Sequence, residues 1–254
     1  MKPLLQRMAK AWAHWPLPRD AAVAVLGYHR VGDDGGPLVV SARAFRLHMA
    51  LLDAGRERQP VLDFDEAVNR LAAGTAPRRG VVVTFDDAWD DNYANALGAL
   101  VEHQLPATLF VPSRLLGTPG FLTRAQLLDM VSAGVRVGAH SRTHADLTTC
   151  SDAELEWEVR GSRDDLEDLL GVACTRFAYP HGRMDARVRT ALSAAGFRTA
   201  VTTVRGWARP GLDPMRVPRN FVEDFDAATF TAAVRGGLNY LRPLEVARAR
   251  IGWR

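Results

Sequence analysis

Two aspartates, Asp86 and Asp87, stand side by side directly after the apolar run GVVVTF at 80–85. Adjacent carboxylates raise each other's pKa and are costly to keep ionised unless a cation or hydrogen-bond donors hold them. The pattern fits two interpretations. The pair either caps the helix predicted next in the sequence, or binds and works together with a cation. The rest of the chain must separate these two interpretations.

Two histidines, His140 and His144, follow another apolar run, VRVGA at 135–139. Their spacing of four residues places both imidazoles on one side of a turn, where they can bind a single ion. A histidine pair in a loop is also common on a solvated surface, so the pair alone does not establish a metal site. Together with one aspartate from a strand end, it forms a three-ligand site with open positions, the arrangement of catalytic zinc.

The candidate groups that do not bind the metal suit the hydrolysis of an amide or ester. The aspartate that does not bind the ion can act as a general base toward the attacking water. His29 follows the run AAVAVLGY at 21–28, and an imidazole with an ordinary pKa of about 6.5 can protonate a leaving amine. The constrained turn YPHG at 179–182 offers a backbone N–H to the developing oxyanion.

The elements that must position these groups alternate along the chain between short β-rich runs and helical patterns. Strands are predicted at 21–28, 80–85, 107–111, 135–139, 175–179 and 198–204. Helices are predicted at 43–55, 65–73, 91–103, 123–133, 152–170, 184–195 and 226–240. The alternation predicts an α/β fold with a parallel sheet, either a (β/α) barrel or an open doubly wound sheet. Both folds bind ligands beyond the carboxyl ends of their strands, where the candidate groups lie.

Composition limits the classes of protein that the chain can belong to. It has 254 residues, 47% hydrophobic and 24% charged, with a net charge of only +3, so a nucleic-acid partner is not expected. Cys150 and Cys174 form neither a C-x-x-C pair nor a dense framework, which argues against a disulfide scaffold or a cysteine-rich zinc ribbon. We expect a single domain over 1–254, with 1–20 as an N-terminal extension and 226–254 as a C-terminal helix.

Four sequence motifs together resemble those of the polysaccharide deacetylase family, also called NodB-like or carbohydrate esterase family 4. They are YHRV at 28–31, TFDD at 84–87, HSRTH at 140–144 and FAYPHG at 177–182, in this order. The resemblance covers roughly residues 21–222. It implies a distorted (β/α) barrel of seven or eight parallel strands and metal-dependent removal of acetyl from N-acetylated sugars.

The resemblance also implies a role for each residue of the motifs. Asp86 is then the catalytic base, and Asp87, His140 and His144 are the metal ligands. In the subset with an early Tyr-His motif, similar to poly-N-acetylglucosamine deacetylases, the position of His29 carries the general acid. Zinc is the expected ion, with cobalt, nickel or iron as alternatives.

The third motif departs from the commoner pattern of the family. Ala178 stands where an arginine usually orients the base, and His181 stands where a tyrosine is usual. The segment RVPRN at 216–220 resembles the arginine-bearing segment of a subset, so we expect Arg219, with Arg216 as the alternative, to reach the base from another strand. The usual late Leu-x-His motif is absent after residue 182, which leaves the acid to the early histidine.

Further residues are candidates for the substrate pocket. Trp89 and Trp207 could stack on a sugar ring or pack within the fold. Tyr179 is expected to line the pocket or to close its strand. Pro180 and His181 belong to the same turn, and His181 is expected to contribute its backbone N–H rather than its ring.

The two ends of the sequence bear on location. Charged residues and prolines interrupt the first 20 residues before a signal peptide or spanning helix could form, so a cytoplasmic protein without a transmembrane segment is expected. A stripe in this segment is expected to pack as an ordinary helix or, as a weaker alternative, to touch a membrane or partner; its residues are Leu4, Leu5, Met8, Trp12 and Trp15. The arginine-rich residues 235–254 are expected to be a solvated helix, with anionic lipid or phosphate as the alternative partner.

The expected substrate is an N-acetyl or N-formyl amino sugar, or a glycan precursor carried on a lipid or nucleotide. Three alternatives stay open. A C–N hydrolase of the same fold could act on a cyclic imide or an allantoin-like ring. A non-haem iron oxygenase also uses two histidines and a carboxylate. A sugar-binding protein could have lost catalysis with the arginine that Ala178 replaces. The sequence leaves the oligomeric state open.

Overall fold

The computed structural model describes residues 20–36 and 38–236. The N-terminal stripe and all but the first two residues of 235–254 lie outside this range, so the expectations for them stay predictions. None of the helices in the described ranges is long and apolar enough to cross a membrane.

Nine β-strands occur within these ranges. They are β1 Val23–Tyr28, β2 Arg30–Val31, β3 Val39–Val40, β4 Gly80–Phe85, β5 Ala107–Val111, β6 Arg136–Ala139, β7 Arg176–Ala178, β8 Thr199–Val201 and β9 Asn220–Phe221. Seven of them pair in parallel in the order β8-β7-β6-β5-β4-β1-β9, and β2 and β3 form a separate parallel pair. The parallel sheet predicted from the alternating pattern is confirmed.

Seven α-helices connect and cover these strands in the described part of the chain. They are α1 Ala42–Ala54, α2 Phe64–Ala72, α3 Leu97–Glu102, α4 Arg124–Ser132, α5 Asp152–Leu170, α6 Ala186–Ala194 and α7 Ala227–Val234. Polar side chains cap the first turn of every one of these helices except α3, and Thr123 and Ser151 each begin a helix with a complete capping box. The helix predicted at 91–103 is interrupted, because a π-helical turn at Asn92–Ala96 precedes α3.

The sheet curls into a distorted (β/α) half-barrel, as the sequence resemblance implied. Residues 217–221 contact strands near both edges of the curled sheet. The Val217 N–H donates to the Ala200 carbonyl at 2.9 Å beside β8, and three residues later β9 pairs with Leu26 and Gly27 of β1. The residue between these two pairings, Arg219, is therefore held where the sheet curls closed, and its side chain is fully buried.

The central strands are rigid because apolar groups cover both of their faces. All six residues of β1 and all six of β4 are buried, as expected for a parallel sheet between two packed layers. Side chains along these strands alternate between two hydrophobic cores. One set packs in the larger core with residues of α1 and of α3 to α7, and the other set packs in the smaller core with residues of α2. This double packing fixes the carboxyl ends of the strands, from which the candidate functional loops leave.

A buried histidine, His48, connects α1 to α7. Its Nε2–H donates to the Phe225 carbonyl at 2.9 Å, its Nδ1 accepts from the Tyr28 hydroxyl at 3.3 Å, and its ring stacks on Phe230 at 4.0 Å. Both ring nitrogens are satisfied in the neutral form, and that tautomer is assigned from these partners. Burial lowers the pKa of His48 to about 4, although the Phe225 carbonyl opposes this shift.

We expect His48 to make stability fall in mild acid. An unfolded His48 binds its proton at a pKa of about 6.5, whereas the folded one binds it at about 4, so protons favour the unfolded chain between these values. The free energy of unfolding should therefore fall by about 1.4 kcal/mol per pH unit from this group as pH drops through that window. Urea unfolding at several pH values measures the slope, and His48→Gln should remove it. An equal slope in that variant would assign the acid sensitivity to other groups.

Candidate active site

The predicted strand-end groups meet in one cleft of about 290 Å³ at the carboxyl edge of the sheet. The residues that line it are His29, Leu38, Asp86, Asp87, His140, His144, Tyr179, His181, Thr203 and Phe221. Loops after β1, β4, β6, β7 and β8 supply most of them. The cleft therefore gathers residues that are far apart in the sequence, as parallel strands sharing one edge require.

Asp87, His140 and His144 form a compact group with one ligand atom each within 4.8 Å of the others. The Asp87 Oδ1 lies 3.5 Å from Nε2 of His140 and 3.4 Å from Nε2 of His144. This oxygen is buried and has no hydrogen-bond partner among the described residues, which is costly unless a cation takes that place. One carboxylate and two imidazoles are a donor set that suits zinc and similar divalent ions.

The backbone orients one imidazole of this group. The Nδ1–H of His140 donates to the Ala178 carbonyl at 2.7 Å, so its Nε2 faces Asp87. Burial lowers the pKa of His140, but the neighbouring Asp87 and Asp86 carboxylates outweigh burial and raise it. Burial raises the pKa of Asp87, but the close approach of His140 and the charges of His29 and His144 outweigh burial and hold the pKa below its ordinary value. Burial, followed by the charge of His140, lowers the pKa of His144 to about 4. Asp87 is thus an anion and His144 a neutral ligand at neutral pH.

The backbone around the cleft is held in a conformation that side chains rarely adopt. Of the seven non-glycine residues with positive φ in the described ranges, six lie in segments that border the cleft: Leu38, Asp87, Ala88, Ser141, His144 and His181, with φ between 57° and 73°. Each such residue costs on the order of 1–3 kcal/mol. Glycine would relieve this strain but would remove the side chains that line the cleft. Backbone strain of this kind is typical of functional sites.

The loop that carries both histidines is anchored from behind by a buried carboxylate of α5. Glu158 accepts from the N–H groups of Arg142 at 2.8 Å and Thr143 at 3.0 Å, and also from the Thr143 hydroxyl. The Ser141 hydroxyl accepts from the His144 N–H at 3.0 Å. The sequence did not identify Glu158, because α5 carries several acidic residues and the sequence does not show which of them is buried.

We expect Glu158→Gln to weaken metal binding by about 10–100-fold, the usual effect of losing a group that orients a ligand. The amide can accept only part of the hydrogen bonds that the carboxylate holds, so the loop and His144 should lose their fixed position. Competition titration of zinc against a chelating dye measures the affinity. Glu156→Gln, on the exposed face of the same helix, is the matched control and should bind zinc like the parent. Equal affinities in all three proteins would refute the anchoring role.

Asp86, the other aspartate of the pair, is held by a buried arginine. The Arg219 guanidinium donates to both carboxylate oxygens, at 2.6 and 2.7 Å, and its Nε donates to the Thr202 carbonyl at 3.1 Å. Burial raises the pKa of Asp86, but the charge of Arg219 and its hydrogen bonds outweigh burial, so the pKa is lowered. Asp86 is therefore ionised at neutral pH. The contact expected for Arg219 is present, whereas Arg216 lines a different cleft.

His29 faces the same carboxylate from the end of β1. Its Nε2 lies 3.9 Å from Oδ2 of Asp86, and its ring packs on Phe221 with centroids 5.1 Å apart. The side chain of Asn92, in the π-helical turn, donates to the His29 carbonyl at 2.8 Å and fixes the backbone. Burial lowers the pKa of His29, while the charges of Asp86 and Asp87 oppose that shift. Its ring can therefore exchange a proton below or near neutral pH.

The family model for polysaccharide deacetylases matches residues 73–200, half of the chain. The chain belongs to the polysaccharide deacetylase family. A chitooligosaccharide deacetylase from Bradyrhizobium sp. (strain ANU 289) is 32% identical over 151 residues, 58% of this chain and 67% of that protein.

Solved structures show the same fold as this deacetylase-family chain. The Streptococcus pyogenes deacetylase PplD, solved in complex with acetate, superposes with a TM-score of 0.78 at 23% identity, over 85% of this chain and 99% of that one. IcaB from Ammonifex degensii superposes with a TM-score of 0.72 at 26% identity, over 85% of this chain and 97% of that one. The likeness extends over nearly the whole of both solved chains.

The two candidate tryptophans of this family member lie at different places in the fold. The Trp89 Nε1–H donates to Oδ2 of Asp87 at 3.1 Å, and the indole stacks on Phe121 at 4.5 Å. Trp89 therefore orients a candidate metal ligand, and it is not among the residues that line the cleft. Trp207 lies in a separate cleft with Arg216, away from the aspartates.

The YPHG turn does line the cleft. Tyr179 is buried, and its hydroxyl donates to the Met215 carbonyl at 3.0 Å, so it both closes its strand and contributes a pocket wall. Pro180 is buried at the start of the turn. The ring of His181 stands edge-on to that of His144 with centroids 4.6 Å apart, so the ring as well as the backbone of His181 faces the site.

Three cleft residues escaped sequence reasoning. Leu38 lies just before β3, Thr203 follows β8, and Phe221 lies in β9. Thr203 packs so closely on Gly182 that a Cβ there would come within 2.0 Å of its hydroxyl oxygen, and Gly182 also has a φ of +71°. The glycine of the YPHG turn is therefore the local signal that another backbone approaches at this point.

Proposed function

We propose that the chain hydrolyses the acetamido group of an N-acetylated amino sugar in a glycan or glycan precursor, releasing acetate and a free amine. The observation that carries the proposal is the orphaned Oδ1 of Asp87, buried between the Nε2 atoms of His140 and His144. Family membership and the named activity of the chitooligosaccharide deacetylase support the reaction class. A divalent ion, by our proposal zinc, would be held by these three residues.

A bound divalent ion would supply Lewis acidity, polarising the acetyl carbonyl and lowering the pKa of water in the cleft. Asp86 supplies the base. Arg219 keeps its carboxylate ionised and fixed in direction, so it can take a proton from the attacking water as the C–O bond forms. The two aspartates thus divide the work, one as ligand and one as base.

His29 supplies the acid for the leaving nitrogen. Its Nε2 lies 3.9 Å from Oδ2 of Asp86, so a proton taken from water can pass from the carboxylate to the ring. The ring then delivers it to the amine as the C–N bond breaks. The lowered pKa of His29, caused mainly by burial, makes the ring ready to give up that proton.

The walls of the cleft suit a small acyl group. Leu38, Tyr179 and Phe221 provide apolar surface beside the aspartates, which fits the methyl of an acetyl group. The backbone N–H of His181, in a strained turn with φ of 57°, is proposed as an oxyanion donor. The carrier of the sugar, whether lipid, nucleotide or glycan chain, and the cytoplasmic location stay predictions from the sequence.

We expect His29→Ala to lower the rate of deacetylation by about 10²–10³-fold, because the leaving amine loses a positioned acid. The three metal ligands are untouched, so zinc affinity should stay within a few-fold of the parent. Single-turnover acetate release and zinc titration on the same preparation separate the two effects. Loss of zinc together with activity would mean that His29 is a ligand rather than the acid.

The proposed activity is tested by acetate release from chitooligosaccharides and from oligomers of β-1,6-linked N-acetylglucosamine. Zinc-loaded protein should release acetate from at least one N-acetylated sugar, and chelation should stop it. Cyclic imides and allantoin belong in the same panel, because ring opening without acetate release would assign the alternative C–N hydrolase activity. Turnover with zinc, which is redox-inert, would exclude an iron oxygenase.

A further inference from the structure

Charge is divided unevenly along the chain. Residues 20–236 carry a formal net charge of −4, whereas residues 1–19 carry +4 and residues 237–254 carry +3. Residues 1–19 include no acidic residue, and residues 237–254 include only Glu245. A basic segment next to an acidic body is typical of a protein that orients on an anionic surface.

Both basic segments join the described part at the same end of the sheet. Ala22, two residues after Asp20, donates its N–H to the Arg78 carbonyl at 3.2 Å, just before β4 begins. Residues 237–254 follow Gly236, at the end of the turn that closes α7. Beside that turn, the Gln59 side chain donates to the Val234 carbonyl at 3.2 Å, and the next residue, Pro60, accepts from the N–H of Val81 at the start of β4 at 2.9 Å. This is the amino end of the strands, opposite the edge that carries Asp86.

A cleft of about 380 Å³ lies at this amino end, and arginines from several elements line it. Arg58, Arg79 and Arg235 line it beside Leu51 and Leu52 of α1 and Phe230 and Val234 of α7, of which Leu52, Phe230 and Val234 are buried. We refer to it as the arginine cleft. Glu57 is the acidic residue among those that line it.

Within the described residues, the arginines of this cleft form no ion pair. In residues 20–36 and 38–236, no ion pair joins Arg58, Arg79 or Arg235, or the neighbouring Arg78, to a carboxylate, although most other arginines of these ranges have one. Partial burial, and then the charges of Arg78 and Arg235, lower the pKa of Arg79. Cations placed this close together without partners repel one another, and a bound anion would relieve that repulsion.

We propose that the arginine cleft and the surface around it dock on an anionic lipid surface. The arginines suit phosphate headgroups, and the charge of the flanking basic segments adds to this attraction. Docking by this end turns the catalytic cleft away from the lipid. The six residues of β4 separate the two ends by about 20 Å, so, on the proposed function, a sugar at Asp86 would lie about that far from the lipid surface.

Flotation of the full chain with vesicles tests the proposal without using activity. Vesicles of phosphatidylcholine alone are compared with vesicles containing one third phosphatidylglycerol. The parent should bind the anionic vesicles and release them at high salt. The triple variant Arg58→Gln/Arg79→Gln/Arg235→Gln should bind about 10–100-fold more weakly. The double variant Arg58→Gln/Arg235→Gln changes only exposed side chains and should show part of that loss.

The matched control is Arg43→Gln/Arg46→Gln/Arg124→Gln, which removes the same charge from exposed positions on α1 and α4 outside the arginine cleft. Its binding should stay within about 2-fold of the parent. Three results would overturn the proposal: equal binding to neutral vesicles, equal losses in the cleft and control variants, or unchanged binding in the cleft variants. The last result would assign any lipid binding to the two basic segments alone.

Discussion

Asp87→Ala should abolish stoichiometric zinc binding and lower acetate release by about 10³–10⁴-fold. The carboxylate is the only anionic ligand of the proposed group, and its Oδ1 faces both imidazole Nε2 atoms. Without it, two neutral nitrogens hold the ion, and the several kcal/mol of charge stabilisation that the ion supplies is lost. Zinc titration with a competing chelator and acetate release under saturating substrate measure the two losses.

Asp90→Ala is the control for this variant. It removes an exposed carboxylate three residues further along the same loop, outside the group of metal ligands. Its zinc affinity and acetate release should match the parent within a few-fold. Turnover that survives in Asp87→Ala at the parent rate would show that no catalytic ion is held there.

Asp86→Asn should lower acetate release by about 10²–10⁴-fold while zinc affinity stays within a few-fold of the parent. The amide keeps the size of the side chain but cannot take a proton from water. The metal ligands are separate residues, so we expect Asp87 to be required for zinc binding and Asp86 for the catalytic step. Single-turnover rates at saturating zinc measure the chemical step.

Stability must be followed in the same variant, because the substitution leaves the Arg219 charge buried without its counter-charge. Breaking a buried pair by removing one partner costs about 3–5 kcal/mol. The double variant Asp86→Asn/Arg219→Gln removes both charges and should regain stability without regaining activity. Parent-like rates in Asp86→Asn would instead require another base.

The positions of the central groups could be predicted because parallel strands share one carboxyl edge. His29, Asp86 and His140 each follow an apolar run directly, so their convergence follows from topology and needs no knowledge of side-chain packing. The family resemblance added the division of roles between the two aspartates. It also directed attention to Arg219, which directly precedes the two-residue strand β9, a segment too short to give a periodic signal.

The residues that support the site could not be predicted in the same way. Trp89 and Trp207 are the same residue type at plausible positions, yet one donates to Asp87 and the other lies in a different cleft. Glu158 looks like one more acid on a helix surface until packing turns it toward the histidine loop. The positive φ of Asp87 and His144 is invisible in sequence, because glycine is the residue that normally signals it.

Anomalous diffraction at the zinc edge, from crystals grown with zinc, tests the proposed metal site most directly. We predict one strong peak per chain bonded to Oδ1 of Asp87 and to Nε2 of both His140 and His144, at about 2.0–2.2 Å. Asp86 should stay paired with Arg219, outside the coordination sphere. A peak that lacks any of these three ligands, or that is bound by Asp86 in place of Asp87, would refute this ligand set.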